Sequence, residues 1–181
     1  MNDLGALLAA YILREWISVA RTDESCSSQT KGDSMKILLA YDGFEYSKHA
    51  LEEAAKVGVE EASTVTVVGV VPPTARGTKS GGHVDLPPHA EEDMKIAHDF
   101  LRERGIEAET KIRHGDPAEE LIREATDGDY DVVVVGSRGL SPVGQLLLGS
   151  VSRKLVKGMP RPVVVAGPET TVRHDPEVTA R

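Results

Sequence analysis

Residues 35–167 predict an α/β fold, an open doubly wound five-stranded parallel sheet in a three-layer sandwich. Three observations carry that reading. Short apolar, β-branched runs recur at 36–41, 64–71, 131–136 and 161–167, as strands covered on both faces require. Stretches of helical periodicity separate the strands. The resulting alternation of strand and helix leaves parallel pairing through right-handed crossovers as the economical topology.

The elements follow in order. "KILLAY" (36–41) opens the sheet, and "EYSKHALEEAAKVG" (45–58) is helical, with Ala50, Leu51, Ala54, Ala55 and Val57 mostly on one side and Gly58 as a stop. "TVTVVGVV" (64–71) is the second strand. The seventeen residues "PPTARGTKSGGHVDLPP" that follow are too long and too rich in Pro and Gly for a plain connection, and read as a lid or excursion. A helix at 89–104 stops at Gly105. "IEAETKIR" (106–113) alternates, placing Ile106, Ala108, Thr110 and Ile112 on one face, so this strand belongs near a sheet edge. Asp116 as N-cap, Pro117 in the first turn and Glu119 in capping-box position start the next helix. "DVVVVG" (131–136), a short helix at 150–158 and "RPVVVAG" (161–167) complete the unit.

The ends divide from this domain by composition. Residues 1–34 hold "LGALLAAYILREWISVA", with Leu4, Leu8, Tyr11, Ile12 and Val19 near one helix face, followed by a polar linker. Arg14 and Glu15 interrupt the apolar run, making it a poor membrane span, and a start "MND" lacks the positive charge of a secretory signal. The segment reads as an amphipathic extension or as the result of a start assigned too early, with Met35 a natural alternative. Residues 168–181 show no periodicity and read as a disordered tail.

Composition excludes several function classes. A net charge of −8 disfavours non-specific contact with nucleic acid or anionic membrane, and 4% aromatics disfavours base-stacking platforms. Cys26 is the single cysteine, so no intramolecular disulfide forms and a reducing, cytoplasmic setting fits. The histidines are scattered; His83, Asp85 and His89 read as a polar loop rather than a metal site. Ser137 in "GSRG" lacks the spacing of a nucleophile elbow. Neither the P-loop pattern nor the dinucleotide glycine fingerprint is present.

Ligands of doubly wound sheets bind beyond the carboxyl ends of the strands, where this chain places "YDG", "VVPP" and "GSRG". Gly136 and Gly139 follow the fourth strand, and Gly149 and Ser150 open a helix whose unpaired amides and dipole favour an anion. The hydroxyls of Ser150 and Ser152 add donors. A phosphate chain uses all of this, although glycines so spaced equally make a tight strand-to-helix connection.

The segment reads Gly136-x-x-Gly139, nine residues, then Gly149-Ser150, and it resembles the ATP-binding signature of the universal stress protein family. "YDG", "HGDPAEELI" and "PVVVAG" in that order extend the resemblance over residues 35–167. The resemblance implies a Rossmann-like fold of the adenine nucleotide-binding type. It also implies that Asp42, with the backbone of Ala40 and Tyr41, sits at the nucleotide, and that the Val70 main chain meets adenine. Gly136, Arg138 and Gly139 would line the ribose and phosphates, and Gly149, Ser150, Val151 and Ser152 would hold the phosphates. Asp42 would help to hold Mg²⁺ through the nucleotide. One departure is Phe44, where the family usually has serine; the lost hydroxyl alters the first loop or crowds the pocket.

The implied function is an ATP-binding, cytoplasmic switch or adaptor of the stress response, forming a homodimer through the last strand and acting on a protein partner the sequence does not name. No general base is evident, so any hydrolysis should be slow. The alternatives are a nucleotide-free dimeric interaction module and a slow ATP-hydrolysing enzyme.

Overall fold

The computed structural model describes residues 34–60, 63–72, 89–137, 148–159, 161–167 and 171–173. The extension at 1–33, most of the excursion after the second strand, and Arg138 and Gly139 lie outside them. Among the described residues strands and helices alternate up to β5, and a further strand follows: β1 (Lys36–Ala40), α1 (Glu45–Glu60), β2 (Thr64–Val71), α2 (Ala90–Arg102), β3 (Glu107–His114), α3 (Pro117–Asp127), β4 (Val132–Gly136), α4 (Ser150–Gly158), β5 (Val163–Ala166) and β6 (Thr171–Arg173). The strands lie in the order β3-β2-β1-β4-β5-β6. The five predicted strands pair in parallel throughout.

Strand periodicity splits the core into two layers. Ile37 and Leu39 of β1 face one cluster, with Leu51 and Ala54 of α1 and Met94, Ala97 and Leu101 of α2. Leu38 and Ala40 face the other, with Leu121 of α3 and Leu155 of α4. Helices therefore cover both faces, and β1 and β4, whose residues at 37–40 and 132–136 are all buried, run through the middle. β3 sits at the edge with mostly exposed or half-buried residues, as its alternation predicts.

The tail departs from expectation. Thr171–Arg173 is not disordered but forms a sixth strand, antiparallel to β5, with Val164 opposite Val172. Three residues are too few to carry a period, so pairing with an edge strand is what makes them a strand. The edge of 161–167 that the sequence leaves open for a second copy is thereby taken within the chain.

Candidate functional site

The chain order reverses between β1 and β4: from β1 the sheet grows through β2 to β3 on one side and from β4 through β5 on the other. The carboxyl ends of these strands and the starts of α3 and α4 enclose a crevice of about 480 Å³.

Its first wall is the loop after β1. The Tyr41 amide donates to Val68 O at 3.0 Å, carrying the β1–β2 ladder to its end. Asp42, exposed, accepts the Phe44 amide on Oδ1 at 3.1 Å, which folds the loop as an Asx turn. Gly43 occupies φ +78, and a side chain there would run into the Asp93 carboxylate of α2. Ser47 is buried; its Oγ donates to Phe44 O at 2.8 Å and stands 3.4 Å from the Asp42 amide. The loop thus obtains its hydroxyl from Ser47, while Phe44 is 50% exposed and does not line the crevice. Burial, then the carboxylates of Asp93 and Asp42, push the Tyr41 phenol up from its ordinary value.

The second wall is the end of β4 with the start of α4. A side chain at Gly136 would lie 2.5 Å from the Tyr46 carbonyl, so what passes close to the backbone there is helix α1. The chain returns at Gly149, whose amide donates to Ser137 O at 2.8 Å, and Ser137 in turn donates its amide to Ala166 O. Helix geometry leaves the amides of Ser150, Val151 and Ser152 without an intrahelical acceptor. No side chain caps them, and the first turn holds no acidic residue. Gly149 itself has φ −57 and ψ 162, a conformation open to any residue, so backbone strain does not explain the glycine. The Ser152 hydroxyl is buried and donates to Gly136 O at 2.7 Å; it ties α4 to β4, and what it offers the crevice is its amide.

The third wall is the start of α3. Asp116 Oδ1 accepts from the amides of Ala118 and Glu119, both at 3.1 Å, and the Glu119 amide in particular holds its carboxyl below the usual range. Lys154 of α4 reaches across, with Nζ 3.4 Å from both carboxylate oxygens of Asp116. Farther along α3, buried Glu124 accepts from Lys111, Tyr130 and Arg113. Burial pushes its carboxyl up, but these hydrogen bonds outweigh burial and leave the pKa at about 2.

Of the residues expected at the site, Ala40, Tyr41, Asp42, Val70, Gly136, Gly149, Ser150, Val151 and Ser152 line this one crevice. Arg138 and Gly139 lie outside the described residues. The sequence reading missed Ser47, Pro72, Asp116, Leu121 and Lys154, which also line it. Lys154 carried a usable signal: it stands four residues after Ser150, on the same face of α4.

These features define a Rossmann-like α/β protein with a crevice at its topological switch point and an uncapped helix N-terminus facing into it. The model of the universal stress protein family matches residues 34–167, and the chain belongs to that family. The universal stress protein YxiE of Bacillus subtilis is 33% identical over 130 residues, covering 65% of this chain and 88% of its own. A universal stress protein from Archaeoglobus fulgidus in complex with dAMP shares the fold at TM-score 0.58 and 21% identity, covering 74% of this chain and 98% of its own. An Arabidopsis thaliana universal stress protein family protein with AMP bound shares it at TM-score 0.54 and 19% identity, over 79% and 94%. Among the described residues, no helix is long and apolar enough to cross a membrane.

Proposed function

We propose that this universal stress protein binds an adenine nucleotide, ATP in the working state, in the crevice between β1, β2 and β4, and acts as a cytoplasmic nucleotide-dependent switch. The observation that carries the reading is the start of α4: three backbone amides aimed at a crevice, with neither a side-chain cap nor an acidic residue to satisfy them. Such an end favours an anion through both hydrogen bonding and the helix dipole. The bound dAMP and AMP of two proteins of this fold support an adenine nucleotide as its source. The apolar Val68, Val70 and Leu121 in the lining offer the base a surface.

Mg²⁺ suits the site only together with the phosphates. Asp42 supplies one carboxylate, with Oδ1 engaged by Phe44, and the described residues contain no cluster of three metal-binding side chains. One carboxylate plus substrate phosphates is a habitual Mg²⁺ arrangement. The described lining holds backbone donors, hydroxyls, two carboxylates that already accept amides and one ammonium, a set suited to holding phosphate rather than to driving water onto it. Slow hydrolysis at most is the corresponding expectation. Assembly as a homodimer through the last strand remains part of the proposal, with β6 as the outer edge that a second copy would meet or displace.

The test is direct. Protein isolated by gentle, low-salt steps should release adenine nucleotide on denaturation, and stripped protein should melt higher with MgATP. Absence of both the release and the shift would contradict the proposal and favour a nucleotide-free interaction module, a role to which the packing need for Gly136 lends weight.

A further inference from the structure

The crevice is lined by three charged side chains among the described residues: Asp42, Asp116 and Lys154. Two of them make their principal bonds elsewhere. Asp42 folds its own loop, and Asp116 caps α3 through Oδ1. Lys154 differs. Its contacts with Asp116 are equal and long, 3.4 Å to each oxygen, where a charge-assisted N–H···O⁻ bond normally closes to about 2.7–2.9 Å. Its side chain is 56% exposed, so little packing holds it there. An ammonium so placed is loosely held by a carboxylate whose Oδ1 already accepts two amides.

Its position matters as much as its pairing. Long side chains on a helix lean back toward the N-terminus, so Lys154, one turn after Ser150, carries its charge over the first turn of α4 and across to the start of α3. It therefore lines the same crevice as the first three amides of α4 and reaches the start of α3. The amides are suited to one phosphate group. A second or third phosphate of the same chain extends past them and needs a cation.

We propose that Lys154 is the residue that reads phosphate-chain length, leaving Asp116 for the β- or γ-phosphate of ATP, and that Asp116 acts as the internal anion it must leave. This inference rests on the nucleotide-binding reading above. It makes the two partners of one ion pair act in opposite directions. Removing the Lys154 charge weakens polyphosphate binding, whereas removing the Asp116 charge strengthens it, because the ammonium is released and a negative charge leaves the crevice.

The experiment measures dissociation constants of the stripped protein for MgATP, AMP and adenosine by calorimetry, in Lys154→Gln and Asp116→Asn. Asparagine retains the capping oxygen, so α3 keeps its start. Lys154→Gln should weaken ATP by about tenfold or more, the worth of one hydrogen bond to a charged group, with AMP less affected and adenosine unchanged. Asp116→Asn should tighten ATP severalfold. An unchanged ATP-to-AMP ratio in Lys154→Gln, or equal weakening of ATP by both variants, would overturn the assignment while leaving nucleotide binding intact. Failure of the unsubstituted protein to bind any of the three ligands would overturn both.

Discussion

Helices α3 and α4 begin at the same crevice and begin in opposite ways. α3 starts with Asp116, whose carboxylate accepts two amides, followed by Pro117 and then Glu119 and Glu120 in the first turn. α4 starts with Gly149, no side-chain cap and no acidic residue, and its only described charge at the crevice is a lysine. A helix that needs only to be stable satisfies its own end, typically for about 1 kcal/mol. One that leaves its end unsatisfied forgoes that stabilisation and keeps the donors for something outside the chain. Under the proposed function, the α3 start serves stability and the α4 start serves the ligand.

The same division separates the two glycines that bound the loop. Gly136 is required by packing, because α1 passes 2.5 Å from where its Cβ would be. Gly149 has an ordinary backbone conformation and no such requirement from strain. A single spacing pattern therefore joins a glycine required by packing to one that its own backbone conformation does not require.

Substitutions on the α3 side should not weaken the ligand response, and those that remove a buried or capping partner should lower stability. The largest effect is expected at Glu124, buried against Lys111, Arg113 and Tyr130. Glu124→Gln should cost about 2–3 kcal/mol in urea unfolding, less than a wholly buried pair because both cations keep contact with water. The same group sets an acid limit. Its folded pKa of about 2 lies below the ordinary 4.5, so its contribution is complete above pH 4.5 and is lost as pH falls toward 2. The unsubstituted protein should lose stability steeply across that window, and Glu124→Gln should show a flatter profile there. Equal slopes would remove Glu124 from the account.

Next in size, Gly136→Ala should destabilise by about 1–3 kcal/mol through overpacking against Tyr46. A neutral result would mean that the Gly136 side of the motif serves the ligand after all. Smaller again, Asp116→Ala should lower stability by about 1 kcal/mol, measured by chemical denaturation, without weakening ATP. If ATP weakens in step with stability, the division between the two helix starts fails.

Much of this was legible in the sequence, for identifiable reasons. The five parallel strands announce themselves because strands buried on both faces are continuously apolar, and β3 reveals its edge position by alternating. The cap at Asp116 is local chemistry, visible within the four residues 116–119. What was hidden depends on partners distant in the chain. β6 exists because β5 offers an edge. The reason for Gly136 lies in α1, ninety residues earlier in the sequence. Ser152 reads as a ligand hydroxyl until its bond to Gly136 O is seen. Lys154 meets Asp116 only because α3 and α4 are brought together. Local patterns locate the crevice, and tertiary pairing decides which of its groups are already engaged.

The central claim is that α4 keeps its N-terminus open for a phosphate, and Gly149→Asp tests it most directly. The new carboxylate would stand to Val151 and Ser152 as Asp116 stands to Ala118 and Glu119. It should leave stability unchanged or raise it by about 0.5–1 kcal/mol while abolishing the rise in melting temperature with MgATP. A variant as stable as the parent and still shifted fully by MgATP would contradict the claim.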